Sequence, residues 1–358
     1  MVTGMEILTV NVGSSSVKLG RFDARATPPR SLATVHLAAG APLPDDLGTP
    51  ALLAHRVVHG GDLARSMLID AAIEARIEAC APLAPLHNPP ALAMIRACRQ
   101  RFGADIPQVA VFDTAFFADL PAAARAYALP RELVRAHDIR RYGFHGIAHQ
   151  ALWRAWQAAT GRGGRVVTLQ LGAGCSASAI ADGKPLDTSM GFTPLEGLVM
   201  ATRSGDVDPG LLLYLQRIAG LDASQMETLL STRSGLLGLA GSADMRQLLQ
   251  DSSADAAFAL EVYCRRVRKT IGAYATVLGG LDGIVFGGGV GEHAAPIRAR
   301  ILADLAWLGV RLDTTANDAA TPASRISTDD SRCAVWVFEV DEASELARAG
   351  QQLLTGTA

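Results

Sequence analysis

The chain has 358 residues, 49% apolar and 19% charged, the balance of a folded globular protein and longer than one hydrophobic core usually serves, so two domains and an enzyme are expected. A formal charge of −2 leaves no cationic surplus to neutralise a nucleic-acid backbone or an anionic membrane, so neither is an expected partner. No segment is long and apolar enough to span a bilayer, and the opening residues lack a basic region followed by an apolar stretch, so a cytoplasmic location is expected.

The five cysteines are scattered without CxxC spacing, which argues against a disulfide frame or a zinc site and for buried free thiols. Residues 6–12 read as a strand, broken by Gly13-Ser14-Ser15-Ser16 and resumed over 17–22. In that turn, N–H groups and hydroxyls can converge on phosphate oxygens, with Lys18 adding a point charge; a plain serine-rich hairpin is the competing account. His55-Arg56-Val57-Val58-His59-Gly60-Gly61 lies at a strand end. The planar fork of Arg56 suits a carboxylate bidentately, against the plainer account of a surface arginine beside core valines.

Pro85-Leu86-His87-Asn88-Pro89-Pro90 leads into a helix-like run over 89–101, and His87 is either a site residue or the organiser of a proline-rich turn. A strand over 108–112 ends at Asp113, on the edge where α/β enzymes place catalytic groups, with a helix N-cap as the alternative. Arg140-Arg141-Tyr142-Gly143-Phe144-His145-Gly146 gathers cations, aromatics and an imidazole between glycines, a combination that points to an anion.

Gly161-Arg162-Gly163-Gly164 looks like a domain junction, after which the same grammar returns: a strand over 166–171, a break at Gly172-Ala173-Gly174, and a strand over 176–180. Thr9-Val10-Asn11-Val12-Gly13 aligns on Thr168-Leu169-Gln170-Leu171-Gly172, a short match that suggests an internal duplication. Residues 187–197 and 202–209 form a long tract dense in small polar residues, of the kind that is functional or disordered; Arg203 within it is suited to neutralise charge on a transferring phosphoryl group. Ser242-Ala243-Asp244-Met245-Arg246 reads either as polar contacts to a ribose or base, or as a helix N-capped by Ser242.

A helix over 256–278 carries Arg265, Arg266, Arg268 and Lys269, expected to form a solvated face. A buried strand over 283–286 precedes the loop Gly287-Gly288-Gly289-Val290-Gly291-Glu292-His293, where backbone can approach a flat or anionic ligand. A dinucleotide fold is the rival, but no later strand carries an acidic residue at the required distance. Residues 313–332 read as loop or lid edge, 334–340 as a strand and 342–354 as a final helix.

Taken in order, the blocks NVGSSSVK, HRVVHGG, APLHNPP, VFDTAF, RRYGFHG, DTSMGFTPLEGL, TRSGDVDPG and SGLLGLAG closely resemble the acetokinase family of small-carboxylate kinases. The resemblance implies an α/β fold of two ribonuclease-H-like domains, the actin/sugar-kinase superfold, around a central nucleotide cleft, in a homodimer. The division it leads us to expect is 1–148 plus 342–358 for the N-terminal domain and 149–341 for the nucleotide-binding one. By position, Asn11 and Glu342 resemble Mg²⁺ contacts (Mn²⁺ being an alternative ion), and Arg56 the carboxylate-binding arginine. Asp113 matches the essential aspartate, and His145 and Arg203 the transition-state stabilisers. Val58, Leu86, Phe144 and Pro194 match walls of a small acyl pocket, and His87 a further site residue. Contacts to ATP or ADP are expected from Ser14, Ser16, Lys18, Gln170, Leu171, Gly172, Ala173, Gly174, Asp244, Met245, Arg246, Gly289, Val290, Gly291, Glu292 and His293.

Three departures from the family pattern stand out. Gln170 and Ala173 replace the histidine and asparagine usual in the second phosphate hairpin, His293 stands where asparagine is common, and Val340-Asp341-Glu342-Ala343-Ser344-Glu345 follows the C-terminal pattern loosely, leaving Glu345 as a competitor to Glu342. The expected reaction is reversible Mg²⁺-dependent transfer between ATP and acetate. The alternatives are a propionate or butyrate kinase, or a nucleotide-binding member whose catalysis is impaired at Gln170 and Ala173.

Overall fold

Across the described residues, 5–13, 16–38 and 40–356 of a computed structural model, twelve strands form two six-stranded sheets. The first holds β1 (Glu6–Val12), β2 (Ser16–Asp23), β3 (Arg30–Ala38), β4 (Leu52–Val57), β5 (Met67–Leu68) and β6 (Gln108–Phe112) in the order β3-β2-β1-β4-β6-β5. The second holds β7 (Arg165–Leu171), β8 (Cys175–Ala181), β9 (Lys184–Thr188), β10 (Gly283–Gly287), β11 (Ser324–Arg325) and β12 (Ala334–Val337) in the order β9-β8-β7-β10-β12-β11.

The two sheets repeat one plan. An antiparallel triplet (β1–β3, β7–β9) adjoins two parallel strands (β4 and β6, β10 and β12), and a short antiparallel strand closes the edge (β5, β11). The sequence match of 9–13 with 168–172 therefore falls on equivalent positions, the ends of β1 and β7, and the fold is the duplicated ribonuclease-H-like arrangement.

Contacts divide the chain into two units: Met1–Ala118, Phe144–Ala151 and Asp341–Ala358 in the first, Asp119–Gly143 and Leu152–Val340 in the second. The boundary at Ala151 falls within the helix Gly146–Thr160, and Gly161 to Gly164 belong to the second unit.

In the first unit the central strands are buried on both faces, as the continuous apolar runs of parallel sheets require. One face packs Ile7, Leu52, Ala54 and Val109 against Leu346 and Ala347 of the helix Glu342–Thr355; the other packs Leu8, Val10 and Leu53 against Cys98 of the helix Asn88–Phe102. That last helix binds the end of the chain to the sheet formed by its beginning.

Several local expectations are corrected. The segment read as a glycine loop after β10 is a short helix, Gly288–His293: the Glu292 carboxylate accepts the Gly288 N–H at 2.9 Å, and Gly288 takes φ +76°, where a Cβ would meet the Leu171 carbonyl at 2.7 Å. Residues 313–332 are not one loop, because the Asp313 side chain caps a helix Thr314–Asp318 and β11 pairs with β12. The helix Met245–Gln250 is capped by Asp244, which accepts from Arg246 N; Ser242 lies two residues too early and bonds Gln247 instead. On the helix Ala254–Val277, Arg266 donates to the carbonyls of Gly197 and Asp206, and Arg268 to those of Ile301 and Arg300, so these two cations tie elements together rather than facing solvent. All five cysteines are free, and Cys80 alone is partly exposed.

Candidate active site

Parallel β1, β4 and β6 lie side by side, so the residues at their carboxyl ends share one edge of the first sheet. That edge carries Asn11 from β1, Arg56 from β4, and Asp113 from the tight turn Asp113–Phe117 that follows β6; the first residue of the helix Glu342–Thr355 meets them there. Arg56 is the hub. Its Nε and Nη2 donate to Asp113 at 3.2 and 2.7 Å, while Nη1 donates to Glu342 Oε2 at 3.1 Å and to Asn11 Oδ1 at 3.3 Å. Asn11 Nδ2 closes the ring by donating to Glu342 Oε2 at 2.6 Å.

Asp113 is fully buried, and the side chains of Arg56 and Glu342 are 14% and 15% exposed, so the cluster has one narrow face towards solvent. Burial works against the Arg56 cation, but Asp113 and Glu342 outweigh it and hold the guanidinium above its ordinary range. Burial likewise pushes the Asp113 carboxyl up, opposed by Arg56 and by a hydrogen bond from the His145 backbone N–H. Lys18 lies opposite Asn11 in the β1–β2 register, which puts a second cation at the same edge.

His145 reaches this edge through backbone geometry. It adopts φ +57°, and its carbonyl accepts the His149 N–H as the helix Gly146–Thr160 begins. Gly146 then passes so close to the Asp113 turn that a Cβ would lie 2.0 Å from the Asp113 carbonyl oxygen. The motif's glycine is thus a packing requirement that holds His145 against Asp113. Phe144 is buried and meets the His59 ring edge-on at 5.4 Å; Val58 is buried, Leu86 is exposed, and His87 stands at the N-cap position of the helix Asn88–Phe102. Asn88 clips this region together, accepting from His59 N and donating to the carbonyls of His59 and Ile77.

In the second unit, the tract read as functional or disordered is ordered by its own bonds: Gly197 N donates to Asp206 Oδ1, Asp206 N to Gly197 O, and Arg203 Nη1 to Pro194 O at 3.1 Å. Among the described residues no carboxylate pairs with Arg203, and burial holds its guanidinium below its ordinary range. A half-buried cation whose bonded acceptors, the Pro194 carbonyl and the Met200 sulfur, are both neutral is poised for an anion. The hairpin of Gln170, Leu171, Gly172, Ala173 and Gly174 joins β7 to β8, and Gln170 lies beside Gly287 in the β7–β10 register, so hairpin and glycine-rich helix adjoin. Gln170 Oε1 is buried without a donor. In that helix Gly289 faces open space, Val290 accepts the Ala294 N–H, and the His293 side chain is 76% exposed. Asp244 and Arg246 form an exposed ion pair, with Met245 buried between them.

Ser16 opens β2 with its carbonyl accepting Gly13 N–H, while Ser14 lies outside the described residues. Sequence reasoning missed the polar cluster of Tyr127, Arg141 and Glu196. Tyr127 OH donates to Glu196, Arg141 donates to Glu196 and to the carbonyls of Thr188 and Ser189, and together they pin the 187–197 tract. The signals were Glu196, a charge amid small polar residues, and Arg141 in the cationic block before Tyr142.

For Mg²⁺, the donor chemistry fits: Asn11 and Glu342 offer hard oxygens at one point, and a small, strongly hydrated ion needs few protein ligands when water and phosphate supply the rest. Glu345 is buried near Arg348 on its own helix, whereas Glu342 meets Asn11 and Arg56. Among the described residues no helix is long and apolar enough to cross a membrane.

Residues 41–348 match the Acetokinase family. Acetate kinase from Chloroherpeton thalassium is 46% identical over 307 residues, which is 83% of this chain and 74% of that protein. Acetate kinase from Clavibacter sepedonicus is 47% identical over 309 residues, 84% of this chain and 78% of that protein. Among solved structures, acetate kinase from Porphyromonas gingivalis superposes with a TM-score of 0.88 at 34% identity, covering 98% of this chain and 99% of that one. A propionate kinase from Francisella tularensis subsp. tularensis SCHU S4 superposes equally, TM-score 0.88 at 36% identity, covering 97% and 99%.

Proposed function

The chain belongs to the acetokinase family, phosphotransferases with a carboxyl group as acceptor, and from that premise we propose that it is an acetate kinase moving a phosphoryl group reversibly between ATP and acetate. The observation that carries this reading is the Arg56 cluster: an arginine fork aimed by Asp113 and Glu342 at the carboxyl edge of parallel strands.

A carboxylate is already ionised at neutral pH, so the attack needs no general base. One acetate oxygen attacks the terminal phosphorus, the bond from that phosphorus to the bridging oxygen breaks, and ADP leaves without net proton transfer. Asp113 keeps the guanidinium of Arg56 oriented, and Arg56 neutralises the acid. Arg203 and His145 offset charge that develops on the transferring group, with Pro194 O fixing the Arg203 fork. Val58, Leu86, Phe144 and His87 bound the methyl end. Lys18, the Gln170–Gly174 hairpin, Asp244 to Arg246 and Gly289 to His293 contact the nucleotide. Asn11 and Glu342 would hold Mg²⁺, which would neutralise phosphate charge.

Acetate is preferred to propionate because the relatives at 46% and 47% identity carry that name. Rates of acyl hydroxamate formation with ATP, Mg²⁺ and acetate, propionate or butyrate test this choice. Each mismatched methylene costs about 1 to 3 kcal/mol, so kcat/KM for acetate should exceed that for propionate by roughly tenfold or more; the reverse order rejects acetate as the substrate.

A cytoplasmic homodimer completes the proposal. The helix Pro209–Ile218 buries no residue, and Leu213, Tyr214 and Ile218 are 58%, 53% and 69% exposed. Antiparallel pairing with a second copy covers that face and sets the exposed Asp208 at one end against Arg217 at the other. Sedimentation should show a dimer that Tyr214→Glu with Ile218→Glu converts to monomer; a wild-type monomer rejects the pairing.

A further inference from the structure

Arg298, on the helix Ala295–Leu302, is 1% exposed and among the largest fully buried side chains of the molecule. Each of its three nitrogens donates, and every acceptor is neutral. Nη1 donates to the carbonyls of Gly291 and Glu292, both at 2.9 Å, Nε to Asn317 Oδ1 at 2.8 Å, and Nη2 to Asn317 O at 2.7 Å. Asn317, itself 1% exposed, donates to Ala295 O at 3.0 Å. Among the described residues no carboxylate bonds this guanidinium; Asp318 acts on it only through space.

Two of those acceptors are the last-turn carbonyls of the helix Gly288–His293, which have no partner of their own within so short a helix. The start of that helix is held separately, by Glu292 accepting from Gly288 N at 2.9 Å and Val340 N at 3.2 Å. Arg298 therefore fixes one end of the glycine-rich segment, and a neutral side chain of similar length would do so at a lower desolvation cost, since an unpaired buried charge costs several kcal/mol.

We propose that Arg298 is a positioning residue for the nucleotide: its fork sets the backbone of residues 288–293, and its charge, which no carboxylate among the described residues bonds, is balanced by the polyphosphate that this segment receives. The inference rests on the reading that residues 289–293 contact nucleotide. Asn317 is the second half of the device, because its side chain and carbonyl hold the guanidinium without neutralising it.

Asn317→Asp separates charge from geometry. It keeps the acceptor beside Arg298 Nε and adds a counter-charge there, but loses the Nδ2 donor to Ala295 O, so the folded protein exchanges that hydrogen bond for an ion pair while the ligand loses its electrostatic support. The dissociation constant of MgADP, measured by calorimetry on the full-length protein, should rise roughly fivefold, the size of one charge acting from within the protein, with KM for acetate unchanged and the protein folded at the assay temperature. Arg298→Lys, which keeps charge and loses the fork, should weaken MgADP less than Arg298→Met. An unchanged MgADP constant in Asn317→Asp, or losses in every variant that only follow the fraction folded, overturns the proposal. Gly289→Glu provides the control, since it places a carboxylate in open space on the same segment. If it weakens MgADP and Asn317→Asp does not, Arg298 is structural alone; if neither does, the segment is not a nucleotide contact and both readings fall.

Discussion

Two imidazoles in the first unit make its stability sensitive to mild acid. His55 on β4 is fully buried beside Gln108, and its Nε2 has no hydrogen-bond partner; burial brings its pKa down from an ordinary 6.5 to about 4. His149 in the helix Gly146–Thr160 is buried as well, and burial brings it down to about 3. An unfolded chain takes up these protons near the ordinary value while the folded chain refuses them. Stability is thus complete above about pH 6.5 and falls as the pH drops towards 4. Between about pH 7.5 and pH 5 each histidine removes roughly 2 kcal/mol, so the pair removes about 4 kcal/mol from a total of typically 5 to 15 kcal/mol.

All four tryptophans, Trp153, Trp156, Trp307 and Trp336, belong to the second unit, so their fluorescence reports the wrong region. Urea unfolding should be followed by hydrogen exchange at β4 amides. His55→Leu should remove about half of the acid-induced loss, whatever it does to stability at neutral pH. A folded-state imidazole of His55 titrating near its ordinary value, or a midpoint equal at both pH values, refutes the reasoning.

Kinetics should separate the two arginines: Arg56→Ala raises KM for acetate about tenfold or more, whereas Arg203→Ala lowers kcat by roughly 10² to 10³ with KM little changed. Steady-state rates against both substrates check this division. Gly146→Ala forces its Cβ to within 2.0 Å of Asp113 O, so the turn must move; a loss of about 1 to 3 kcal/mol in urea unfolding and a fall in kcat are expected. Glu342→Gln should raise the Mg²⁺ concentration for half-maximal activity several-fold and Glu345→Gln should not, as titration with Mg²⁺ will show.

The strands were readable because buried parallel strands are nearly continuous apolar runs bounded by small residues, and β1, β6 and β10 lie within a residue of their expected bounds. The duplication was faintly visible in five aligned residues; the shared strand order makes it plain. Chemistry at strand ends was readable too, since Asn11, Arg56 and Asp113 are polar residues that directly end or follow apolar runs.

What stayed hidden depends on contacts distant in sequence. Only the family resemblance joins Glu342 to Asn11 across 331 positions, and nothing in the string says that Asn317, in an alanine-rich stretch, holds Arg298. The helix Gly288–His293 was missed because glycine disfavours helix locally, whereas the Glu292 carboxylate and the Arg298 fork stabilise it from outside its own propensity. The expected solvated cations failed similarly, as arginine's fork finds backbone carbonyls that no spacing rule reveals.

Phosphorus NMR of the purified chain incubated with acetyl phosphate, ADP and Mg²⁺ addresses the carboxyl-to-nucleotide transfer without coupling enzymes. The three ATP resonances should grow as the acyl phosphate signal declines, and should stay absent with Arg203→Ala over the same interval. Acyl phosphate that persists, or that yields only inorganic phosphate while ADP is unaltered, contradicts the account.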